Sequence, residues 1–135
     1  LEKNNLRLQE KYRRIELEQT RWGGTRLEQA EVVVVAYGST ARVVKNAMEL
    51  LAGEVEVGLI RPQTLWPFPQ LPFDQLPESC QAVLCVEMSC GQMVDDVKLA
   101  VNGQIPVHFY GRCGGIIPTP EEVAVRAKSI WKGRE

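Results

Sequence analysis

Four short stretches hold most of the residue types able to do chemistry: Gly38-Ser39-Thr40, Arg61 with Thr64, Glu87 through Gln92, and Gly111-Arg112-Cys113-Gly114-Gly115. In the first, the valine run Val32–Val35 leads into a Tyr-Gly-Ser-Thr turn, and a helical pattern follows. Helix N-terminal amides can hold a phosphate, but the known loops need more glycine. A dinucleotide fingerprint reads G-x-G-x-x-G and a P-loop G-x-x-x-x-G-K-[ST]. Here one glycine stands alone, and Arg42 and Lys45 fall at other offsets. The expectation is a plain strand-to-helix turn, with contact to a neighbouring domain or an anion as lesser readings.

Glu87 could act as an acid or base, yet no partner residue accompanies it in the sequence. A hydrogen-bonding role across a domain boundary is expected. In Gly111–Gly115 the glycines free the backbone, and Arg112 offers the planar fork that suits carboxylates and phosphates. An interface salt bridge is expected there, with anion or cofactor contact as the other reading. His108, the single histidine, sits in PVHFY opposite Val107 and Phe109 and reads as a satisfied core or interface residue. No Ser/His/acid set and no His/Asp/Glu cluster has catalytic or metal-ligand spacing. No catalytic or metal residue is therefore assigned.

The four cysteines are Cys80, Cys85, Cys90 and Cys113. They contain no CxxC pair, which disfavours zinc and ferredoxin-type clusters. All four are expected to be reduced structural thiols of a cytoplasmic protein.

Positioning these turns requires a scaffold. The chain has 135 residues, enough for one domain, and 44% apolar residues, enough for a core. A formal net charge of −1 argues against a nucleic-acid surface. No apolar run approaches the ~20 residues of a membrane span. The charged start does not suit a signal peptide, and a chain that begins at Leu1 inside a helical pattern and stops at Glu135 just after another suggests a piece of a longer polypeptide.

Residues 1–19 are rich in helix formers. Leu1, Leu8, Ile15 and Trp22 recur at a spacing of seven, but Asn5, Tyr12 and Gln19 make a poor coiled-coil seam. A linker helix lying on its neighbours is expected, followed by a domain over 20–135. Thr20–Leu27 suits a short edge strand broken by two glycines. Val32–Ala36, Val55–Ile60, Ala82–Glu87 and Pro106–Tyr110 read as further strands, the valine-rich runs as buried on both faces.

Helices are expected between and after them, capped by Ser39 or Thr40, by Ser89, and by Thr119 with Pro120 and Glu122 in a capping box. Gly53 and Asn102-Gly103 are stops. Residues 61–79 carry five of the eight prolines with Trp66, Phe68 and Phe73. They predict an ordered crossover with one helical turn, its aromatics either closing the core or docking a partner. Alternating strands and helices specify an α/β sheet covered on both faces. Its carboxyl edge would gather all four stretches, where ligands and partners of such sheets bind.

KYRRIE, VVVVAYGSTARVVKNA, GLIRPQTLWPFP, CVEMSCGQM and HFYGRCGGIIPTPEEV together resemble the closing segment of a 2-oxoacid:ferredoxin oxidoreductase alpha-type subunit, of the 2-ketoisovalerate or 2-oxoglutarate kind. The resemblance runs from about Lys11 to Ile130. It implies a transketolase C-terminal-domain-like fold: a three-layer α/β/α sandwich on a mostly parallel five-stranded sheet with one antiparallel edge strand.

It also implies an enzyme that decarboxylates a 2-oxoacid on thiamine diphosphate and Mg, passes electrons through iron–sulfur clusters to ferredoxin, and gives the acyl group to coenzyme A. None of these cofactors is expected on this domain alone, whose part is assembly and positioning of other domains and subunits. By the same resemblance Gly38, Ser39, Thr40, Arg61, Thr64, Pro67, Glu87, Gly91, Gln92, Gly111, Arg112, Gly114, Gly115, Pro118, Thr119 and Pro120 shape that edge. Ser89-Cys90 departs from the asparagine-containing turn expected of the family. The alternatives are the equivalent domain of a transketolase or 2-oxoacid dehydrogenase beta subunit, or a stand-alone nucleotide-sensing module at Gly38–Arg42.

Overall fold

The computed structural model describes residues 1–133. The elements follow in the order α1 (Glu2–Gln19), β1 (Trp22–Thr25), β2 (Val32–Val35), α2 (Gly38–Leu50), β3 (Val57–Pro62), α3 (Leu71–Asp74), β4 (Ala82–Glu87), α4 (Met93–Val101), β5 (Val107–Gly111) and α5 (Pro120–Trp131). One five-stranded sheet runs β1-β3-β2-β4-β5. All its pairs are parallel except β1 with β3, so the glycine-broken segment is the antiparallel edge strand.

Every residue of β2 and β4 is buried, as strands between two helical layers must be. Alternation sends Val32 and Val34 into the core beneath α2 and α5, and Val33 and Val35 into the core beneath α3 and α4. Burying each valine contributes about 1.5–3 kcal/mol relative to exposure. The apolar faces read from the sequence fill these layers: Val44, Ala47 and Met48 of α2, Met93, Val94 and Val97 of α4, and Val123, Ala127 and Ile130 of α5.

Several expectations change. β3 starts and ends two residues later than Val55–Ile60, because antiparallel pairing with Trp22 and Gly23 carries the ladder on through Arg61 and Pro62. No residue of α1 is buried, and the helix touches the domain at its flank. Tyr12 meets Trp66 edge-on with ring centroids 5.8 Å apart. The crossover aromatics divide: Phe73 is buried and stacks with Phe68, while Trp66 is 60% exposed.

Candidate functional site

The carboxyl ends of β2, β3, β4 and β5 bring Gly38, Arg61, Glu87 and Gly111 to one edge. The chain moves from β2 to β3 on one side, then crosses to β4 on the other. The topological switch point, where α/β sheets usually open a ligand crevice, therefore lies between the β2 and β4 turns. Here Ser39 and Met88 meet across it, with Oγ 3.8 Å from Sδ. Helix α2 starts from Tyr37 without a side-chain cap, contrary to the expectation for Ser39 or Thr40. Thr40 is buried, Ser39 turns toward Met88, and Gly38 takes φ +60, which a side chain would resist. Arg42, Lys45 and Arg61 surround an open depression beside this turn.

Glu87 organises the next turn. Its carboxylate, 2% exposed, accepts the amides of Gln92 at 3.2 Å, Met93 at 2.7 Å and Val94 at 3.1 Å, and the Ser89 hydroxyl at 3.3 Å. These are the orphan N–H groups of α4, and a negative charge at a helix N-terminus is favoured besides. Glu87 thus caps α4, in place of Ser89. Ser89 instead accepts the Gly91 amide and donates to Glu87. The expected hydrogen bonds across a domain boundary are made within the domain. Cys85 directs its thiol at the same carboxylate; burial first, then the Glu87 charge, pushes that thiol well above its ordinary pKa.

The β5 end is pressed against this turn. The Arg112 amide donates to the Glu87 carbonyl, and a Cβ on Gly111 would stand 2.3 Å from the Ser89 carbonyl oxygen, so only glycine fits. The Arg112 guanidinium reaches Glu122 at 2.9 Å, an ion pair inside the chain instead of at an interface. Glu122 also accepts the Thr119 amide, while Thr119 accepts the Glu122 amide, completing the capping box. The Thr119 amide, more than Tyr110 or Arg112, holds the Glu122 carboxyl below its ordinary range. Thr64 accepts the Arg21 amide and donates to the Pro67 carbonyl, tying the proline-rich turn to the start of β1. His108 is half-buried; desolvation, then the charge of Arg126, lowers its pKa.

Cys90 and Cys113 are joined as a disulfide with Cα atoms 6.2 Å apart, which corrects the expectation of four reduced thiols. Pairing β4 with β5 places their following turns side by side, a proximity that spacing along the chain does not reveal. The sequence reading also passed over Tyr37, Met88, Ile116 and Ile117. All are exposed apolar residues in these turns, at 40%, 40%, 49% and 53%. The adjacent isoleucines in a glycine- and proline-rich loop were the visible signal.

This is a doubly covered α/β domain whose carboxyl edge is closed by internal hydrogen bonds and fringed with apolar side chains. Residues 30–123 match the family model for pyruvate:ferredoxin oxidoreductase core domain II, and the chain belongs to that family. It is 42% identical over 131 residues to the ketoisovalerate oxidoreductase subunit VorB of Methanothermobacter marburgensis, covering 96% of this chain and 37% of that subunit. It is 34% identical over 97 residues to the 2-oxoglutarate synthase subunit KorA of the same organism, 71% of this chain and 26% of that subunit. The chain thus spans 37% of the first of these relatives and 26% of the second.

A solved 2-oxoglutarate:ferredoxin oxidoreductase from Magnetococcus marinus, with 2-oxoglutarate, coenzyme A and succinyl-CoA bound, superposes with a TM-score of 0.75 at 27% identity, covering 88% of this chain and 21% of that one. A split-gene transketolase, an inactive beta4 tetramer, superposes at 0.66 with 18% identity, over 84% of this chain and 42% of that one, and so shares the fold.

Proposed function

We propose that the chain is part of a 2-oxoacid:ferredoxin oxidoreductase subunit that oxidatively decarboxylates a 2-oxoacid to an acyl-CoA with ferredoxin as acceptor. Thiamine diphosphate, Mg, the iron–sulfur clusters and coenzyme A are held by other domains and subunits of that cytoplasmic enzyme. Residues 1–19 serve as the linker helix and 20–135 as the domain. Its role is to position those partners through the carboxyl edge.

The observation that carries this reading is the state of Glu87. The edge's one buried carboxylate among the described residues has its oxygens committed to the Gln92, Met93 and Val94 amides, a structural use that holds the turn in shape. Gly38, Ser39, Thr40, Arg61, Thr64, Gly91, Gln92, Gly111, Arg112, Gly114 and Gly115 give the edge its form, and Tyr37, Met88, Ile116 and Ile117 give it an apolar surface. The shared family and the VorB and KorA likenesses support the oxidoreductase assignment.

The test compares 2-oxoacid-dependent ferredoxin reduction by the assembled enzyme and by the isolated chain supplied with thiamine diphosphate and Mg. Turnover is expected from the assembly alone; turnover by the isolated chain would overturn the positioning role.

A further inference from the structure

We propose that Cys90 and Cys113 form an exchangeable dithiol–disulfide site on the carboxyl edge, at which a dithiol reductant opens the link between the β4–α4 turn and the β5–α5 loop and releases that loop.

The four cysteines fall into two chemical classes. Cys80 and Cys85 lie in the core and are free thiols. Burial raises the pKa of both, so neither offers the thiolate that exchange requires. Cys90 and Cys113 are exposed, lie outside helix and strand, and are joined to each other across 23 residues of sequence. An attacking thiolate has access to their sulfurs and is screened from the other pair.

The link adds nothing that the sheet needs. β4 and β5 are already paired from Val83–Val107 to Glu87–Gly111, and the Arg112 amide continues to the Glu87 carbonyl. Helix α4 is capped by Glu87 and α5 by Thr119, independently of the sulfurs. What the disulfide restrains is the segment beyond the last of these bonds. There Gly114 and Gly115 have open space where a side chain would stand, and Ile116 and Ile117 are exposed. Restraint ends when the bond opens, and the fold on either side remains.

The step balances. One reductant thiolate attacks a cysteine sulfur, the S–S bond breaks, and the other cysteine leaves as a thiolate that takes a proton. The second reductant thiol then attacks the mixed disulfide and frees the first cysteine. Two electrons and two protons pass from the dithiol to the protein, and the reductant departs as a disulfide.

The experiment uses the air-oxidised 135-residue chain and dithiothreitol, with alkylation mapped by mass spectrometry and amide exchange followed in both states. Without reductant, Cys90 and Cys113 should resist alkylation in the native chain. After reduction both should react, while Cys80 and Cys85 stay protected until the chain is denatured. Exchange over 113–117 should accelerate about tenfold or more on reduction, with Arg112, β4 and α4 unchanged. Cys90→Ser and Cys113→Ser should each reproduce the fast loop with or without reductant. Alkylation of both cysteines in the oxidised chain, loop exchange equal in the two states, or unfolding on reduction would each overturn the proposal.

Discussion

The Glu87 carboxylate accepts the Met93 amide at 2.7 Å, so the last residue of β4 caps the first residue of α4 across a five-residue turn. One side chain thereby ends a strand, starts a helix and fixes the turn between them. Replacing it leaves the α4 amides buried without an acceptor. Glu87→Ala should lower unfolding stability by about 3 kcal/mol. Chemical denaturation measures the loss, and amide exchange should place it at residues 92–94.

Thr119 and Arg112 act on the same helix start with different weight. The Thr119 hydroxyl takes an orphan amide of α5, and Thr119→Ala should cost about 1 kcal/mol. The Arg112–Glu122 pair is open to solvent and screened. Arg112→Ala should therefore destabilise less than Thr119→Ala in the same denaturation series.

The crossover aromatics divide in the same way. Phe73→Ala empties a core position that is 1% exposed and should cost about 3–5 kcal/mol. Trp66→Ala, at a position 60% exposed, should change stability by about 0.5 kcal/mol or less. Paired thermal melts of the two variants check the ranking.

His108 gives the domain a pH dependence of known sign. Its folded pKa is lowered by desolvation and by Arg126, so the unfolded chain binds the proton more readily. The stability associated with neutral His108 is present above its unfolded pKa of about 6.5 and is lost as pH falls from there through the folded value. The denaturation midpoint should fall between about pH 7 and pH 5, and His108→Gln should flatten that decline because the chain has one histidine.

What the sequence disclosed follows from the range of the interactions. Four consecutive valines announce a strand covered on both faces, and Thr119, Pro120 and Glu122 declare a helix start within a few residues. The edge strand at Trp22–Thr25 showed in the residues only as a glycine-broken segment within Thr20–Leu27, and its antiparallel direction came through the family resemblance. Glu87 escaped because a cap is sought at the residue just before a helix, and this one reaches over Met88–Gln92. The Cys90–Cys113 link and the Ser39–Met88 contact depend on which strands become neighbours, and neither side chain in such a pair carries a local sign of the other. The division of Trp66 from Phe73 likewise arises only when the crossover is laid on the sheet.

The central claim is that the carboxyl edge assembles the enzyme and leaves its chemistry to other domains. The most direct measurement places Ile116→Asp with Ile117→Asp in the complete subunit, expressed with its partner subunits, and determines both the assembled fraction and kcat per assembled enzyme. Burying the two charges should reduce the assembled fraction by roughly tenfold or more, since each tenfold corresponds to about 1.4 kcal/mol of interface free energy. The enzyme that does assemble should keep its kcat. Normal assembly with kcat lost would contradict the account and move this edge into the reaction itself.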